Sequence, residues 1–125
     1  MIASSHRTDK NSLRVILGND IAIQAARAKH TNPWPEGSIL AKLVWEDKTH
    51  DAWSTATVPG SFVHAELMIK DSQKYFSTAG WGFARWLGLQ QRPYGSDASF
   101  ATECMGCHTQ VKNTDHVFTR PAVLP

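Results

Sequence analysis

The chain has 125 residues, 42% of them hydrophobic, and a formal net charge of +2. That length bounds it to a single domain with a core of useful size. So small and dispersed a charge gives no footing for nucleic acid, and no apolar run approaches the length of a membrane span.

Residues 1–11 read as a flexible N-terminal arm, with 12–125 as one folded domain. The polar start, Met1 to Arg7, lacks the apolar centre of a signal peptide. Leu13 to Gly18 reads as a short strand. Asn19 or Asp20 is placed to cap a helix with Ile21, Ala25 and Ala28 on its apolar face. Thr31 to Gly37 holds two prolines and a glycine and must be loop.

Ile39 to Glu46 is a strand in which Leu40, Lys42 and Val44 share one face. Asp51 to Thr57 reads as a short helix closed by Pro59-Gly60. Ser61 to Lys70 alternates again, Phe62, His64, Glu66 and Met68 on one side and Val63, Ala65, Leu67 and Ile69 on the other. After a turn at Asp71-Ser72 and a short helical piece comes a glycine- and aromatic-rich strand, Gly80 to Leu87, which something approaches closely. Gln90 to Ser96 is loop, Ala98 to His108 a helix, and Val117 to Thr119 a last edge strand. Strands with helices between and after them give an α+β class, a mainly antiparallel sheet flanked by helices.

Within the last helix lies Cys104-Met105-Gly106-Cys107-His108, which uses both cysteines of the chain. Two thiols at this spacing followed at once by histidine form the attachment site of a c-type haem. Each thiol adds to a vinyl group, and His108 then becomes the proximal iron ligand. A thioredoxin-like pair would want a βαβ setting. A zinc site would need two more ligands, for which His108 and His116 are candidates with a spacing wider than usual. Haem c is attached outside the cytoplasm, so a periplasmic compartment is expected, with the leader absent from this chain.

The residue opposite His108 decides the function. Met68 and His64 are the side chains able to close the sixth iron position, but each reads first as structural, Met68 as core filling and His64 as a satisfied or surface histidine. An open position lined by aromatics such as Trp34, Phe62, Phe83 or Trp86 is the expectation. Lys42 points from an apolar face. Either its stem carries the charge out to water, or the desolvated amine acts as a nucleophile toward a haem edge.

The segments Pro35 to Lys42, Ile69 to Tyr75, Gly80 to Phe83, Cys104 to His108 and Asp115 to Arg120 together resemble the cytochrome P-460 family, which includes cytochrome c-prime-beta. The similarity runs from about Leu13 to Pro121. The resemblance implies a haem c held by Cys104 and Cys107, a further bond from Lys42 to a haem meso carbon, and Trp34, Phe62, Phe83 and Arg120 near the cofactor. It implies oxidation of hydroxylamine at a five-coordinate iron, electron transfer to a small cytochrome, and a homodimer. The alternative branch binds nitric oxide or carbon monoxide without turnover and lacks the lysine bond. Active members place a carboxylate just before the haem motif. At that register stands Ser99, with Asp97 as the acid able to reach in and Glu103 expected to face elsewhere.

Overall fold

The computed structural model describes residues 1–123, so the expected domain's last two residues, Leu124 and Pro125, lie outside the described part. Six strands form one antiparallel sheet whose spatial order is the chain order. They are β1 (Ala3–Arg7), β2 (Ser12–Gly18), β3 (Ile39–His50), β4 (Trp53–Lys70), β5 (Trp81–Leu87) and β6 (Arg92–Pro93). Two α-helices accompany them, α1 (Asp20–Arg27) and α2 (Ala101–His108). An antiparallel meander needs only short links between neighbours, and α1 fills the longest link, between β2 and β3. No helix among the described residues is long and apolar enough to cross a membrane.

Several expectations are corrected here. The expected arm, 1–11, carries β1, which pairs along β2 from Ala3↔Ile16 to Arg7↔Ser12. Ile2 and Ala3 are buried at 2% and 7% exposure, and these two apolar residues tie down an otherwise polar strand. The expected helix over 51–57 is instead the start of β4. His50 pairs with Trp53, so β3 and β4 are joined by a two-residue turn, Asp51-Ala52. That turn lacks the Asn-Gly or Asp-Gly pair that usually reveals a hairpin, while Thr55, Thr57 and Val58 are β-branched and suit a strand. Residues 117–119 form no strand.

Helix α1 begins where expected. The Asn19 side chain accepts from the backbone N–H of Ala22 and of Ile39 and donates to the Gly37 carbonyl, fastening the helix start to the first residue of β3. Such a cap contributes about 1 kcal/mol. The face that packs is Ala22 and Ala25, not Ile21, which is 42% exposed. Small side chains are required because the helix lies close to β2. A Cβ on Gly18 would stand 3.0 Å from that of Ala22.

One sheet face carries the core. Residues opposite one another in antiparallel strands share a face, and Ile16, Leu40 and Trp81 on that face pack with Ala22, Ala25, Trp34 and Val117. Opposite pairs continue the same face through Ile16↔Lys42↔Glu66↔Arg85 and Arg14↔Val44↔His64↔Leu87. The other face presents Val15, Leu43, Ala65, Leu67, Ala84 and Trp86, all half-buried, with Leu17 exposed. Close approach at Gly82, expected from its place in a strand, comes from the Tyr75 ring.

Candidate functional site

Helix α2 presents the cysteine–histidine motif. Asp97 caps the preceding single turn, Ala98–Phe100, accepting from the Ser99 N–H at 2.8 Å. The Tyr94 hydroxyl donates to Glu103 at 2.9 Å, Tyr94 meets Phe100 edge-on, and the Arg85 guanidinium lies 4.7 Å over the Tyr94 ring. These contacts lash α2 to β5. Spacings of three and four residues put Cys104, Cys107 and His108 along one side of the helix.

The His108 imidazole has one nitrogen committed and one free. Its Nδ1–H donates to the His116 carbonyl at 2.6 Å, leaving Nε2 as the acceptor nitrogen. The Phe83 and Phe118 rings flank it at centroid distances of 5.4 and 5.2 Å. Burial depresses its pKa, which the carbonyl only partly offsets, so the ring is held neutral, as a metal ligand must be.

Facing this helix from the sheet is a charged cluster on an otherwise apolar face. Lys42 lies between Leu40 and Val44, which are 4% and 3% exposed. It does not reach out to water alone but forms an ion pair with Glu66 of β4. His64 Nε2 lies 3.2 Å and Arg85 Nε 2.8 Å from the same carboxylate. The Arg85 Nε–H is buried and not aligned on that oxygen as a hydrogen bond, and the Nε of Arg14 is likewise buried without a partner. Burial would raise the Glu66 carboxyl, but His64, Lys42 and Arg85 outweigh it and hold it well below the usual carboxylate range. The cluster acts on the motif: Lys42 and Glu66 bear on His108, and Arg85 and Glu66 on the Cys104 thiol, which burial pushes up.

That arrangement sets a pH dependence. The folded pKa of Glu66 lies below the ordinary 4.5, so its ion pairs stabilise the fold above that value and fail as pH falls toward the folded one. Glu66→Gln is expected to flatten the acid limb of stability against pH and to cost on the order of 2 kcal/mol at neutrality, by leaving cations facing one another. Urea denaturation between about pH 3 and 8 checks both.

The other residues singled out from sequence fall elsewhere. Asp97 is an exposed cap and does not enter the cluster. Phe62 is on the opposite face: a bulge at Val63 sets Trp45 against Phe62 while Val44 still faces His64, so Phe62 packs on Trp45. Trp86 shares that outer face with Ala65. Trp34 belongs to the core at 2% exposure. Met68 packs against the core cluster. Arg120 is exposed. Phe83 does stand beside His108. Sequence reasoning missed Arg14, Arg85 and Phe118, and weighed Glu66, with His64, as a substitute for the distal base that reads more readily as structural. A charge recurring on the apolar face of consecutive strands was the available signal, but only the register shows that these charges meet.

The donor set fits a haem. Both thiols are free, the imidazole offers the correct nitrogen, and a Cβ on Gly106 would meet nothing within 4 Å. Zinc fits less well: His116 gives its carbonyl to the motif, and among the described residues no three His, Cys, Asp or Glu gather as a cation cage.

A mainly antiparallel sheet that turns one charged face toward a Cys-X-X-Cys-His helix defines a class of small β-rich haem proteins. The Cytochrome P460 family model matches residues 1–119, and the chain belongs to that family. No curated protein matches it.

Proposed function

We propose that the protein is a c-type haem oxidoreductase of the hydroxylamine-oxidising kind, with haem bound through Cys104 and Cys107 and a further bond from Lys42. The observation that supports this most is Lys42 itself. Its amine is carried on the core face of the sheet, paired with Glu66 and directed to the side where His108 stands.

When bound, the haem supplies an iron that accepts electrons from a small nitrogen compound. The chain's own residues do the rest. His108 holds the iron from one side, and the His116 carbonyl fixes its tautomer. Phe83 and Phe118 hold the imidazole plane and keep water from it. Lys42 would supply the amine for the further bond, a coupling that removes two hydrogens and so would need a two-electron oxidant such as peroxide. Glu66 holds the amine in place beforehand.

One observation favours a second reading, a nitric oxide or carbon monoxide binder without turnover. Asp97, the acid expected to reach in, is an exposed cap. Anaerobic mixing of the ferric holoprotein with hydroxylamine and an electron-accepting dye separates the two. Repeated reduction of the dye supports the enzyme; a single binding step followed by nothing supports the gas binder.

The same reading puts the protein in the periplasm, where c-type haem is attached, with a small cytochrome as electron acceptor. It also makes the protein a homodimer. The half-exposed apolar face built on Leu43, Leu67 and Trp86 supports that state, since an open apolar sheet face needs a cover. Leu43→Glu, which adds a charge to that face, is expected to halve the mass seen by light scattering. An unchanged mass would exclude this face as the interface.

A further inference from the structure

We infer that the buried Lys70–Asp115 ion pair is a positioning device that sets the strength of His108 as an axial ligand, acting through the His116 carbonyl. The inference rests on the haem reading above.

Lys70 closes β4, and its side chain is 6% exposed; that of Asp115 is 10% exposed. Nζ donates to both carboxylate oxygens, at 2.8 and 2.9 Å, and stands 4.9 Å over the fully buried Trp81 ring. Asp115 is held from three sides. One carboxylate oxygen also accepts from the Trp34 N–H, and its main-chain carbonyl accepts from Trp81 Nε1, each at 2.8 Å. The pair thus pins one residue of an extended loop to the core.

That residue precedes the carbonyl that matters. Asp115 and His116 have φ of 51° and 62°, two successive non-glycine residues in the left-handed region. Each such residue costs on the order of 1 kcal/mol and persists only where its surroundings fix it. The double turn aims the His116 carbonyl at His108 Nδ1, 2.6 Å away. A buried ion pair is a poor way to gain stability, because desolvating two charges offsets most of their attraction. What it supplies is a fixed place for the chain. Here that place is the acceptor of the proximal imidazole's N–H, and a stronger acceptor makes a more basic ligand that favours ferric iron.

Lys70→Met and Asp115→Asn test this in the haem-loaded protein. Asn keeps the size of the side chain and an acceptor for Trp34, so it decides the matter should Lys70→Met fail to fold. The double variant, which buries no unpaired charge, carries the same expectation should both single variants fail. Loosening the turn is expected to raise the ferric/ferrous midpoint by about 59 mV, a tenfold change in the ferric-to-ferrous ratio at fixed potential. It is also expected to lower the iron–histidine stretching frequency of the ferrous form. Variants that melt earlier yet keep both the wild-type potential and the wild-type stretch would overturn the inference and leave the pair purely structural. Absence of haem from the wild-type protein would instead overturn the functional reading, so the two failures are distinct.

Discussion

His108→Ala is expected to leave haem without its proximal ligand and with an altered ferric spectrum, and Cys104→Ser with Cys107→Ser a protein that retains no haem after acid–acetone extraction. The reason is the division of labour along α2. In the proposed function the two free thiols, one half-buried and one exposed, would provide the covalent hold. The imidazole would provide the iron bond through Nε2, since Nδ1 is spent on the His116 carbonyl. A single cysteine change is expected to leave one thioether, hence haem still attached but more easily lost. Intact mass with and without extraction reads each case. Retention of extracted haem by the double serine variant would place the attachment elsewhere.

Lys42→Ala is expected to have the second largest effect. If Lys42 bonds to the macrocycle, the wild-type ferrous Soret band stands well to the red of an ordinary c-type haem, and Lys42→Ala returns it. Intact mass gives the independent reading, since the third bond removes two hydrogens from the thioether-linked protein. Alanine also leaves Glu66 short of one cation, a cost of about 1 kcal/mol for a pair only partly shielded from water. Lys42→Arg separates the two effects. It keeps a positive charge for Glu66, while a guanidinium, always protonated, has no free amine to bond. An ordinary spectrum with restored stability is the expected result for Arg. Should wild type, Ala and Arg share one spectrum, no bond forms, and the gas-binding reading gains.

The haem motif was legible because its chemistry is local: five consecutive residues on one helix carry the two thiols and the imidazole that the proposed attachment needs. Lys42 was legible for a related reason. A strand alternates with period two, so a lysine between Leu40 and Val44 had to sit on their face. Its partner was not legible. Glu66 is 24 residues away as the numbering runs, and only the register of β3 on β4 sets the two side by side. Phe62 was misplaced by the same ignorance of register, because one bulged residue at Val63 reverses the alternation expected for the residue before it. Strand β1 was missed since five mostly polar residues carry no alternation of their own, their place being set by pairing with β2. The proximal hydrogen bond was hidden too, as it uses a main-chain carbonyl and no side chain.

The proposed function requires iron held by one imidazole, with its other axial position free for a small nitrogen compound. Low-temperature electron paramagnetic resonance of the ferric holoprotein tests that. A high-spin axial signal near g of about 6, lost on adding nitric oxide because the ferric adduct is spin-paired, is the result expected of a weak-field site with an exchangeable position. A low-spin signal, as given by a second histidine or a methionine such as His64 or Met68, would contradict it.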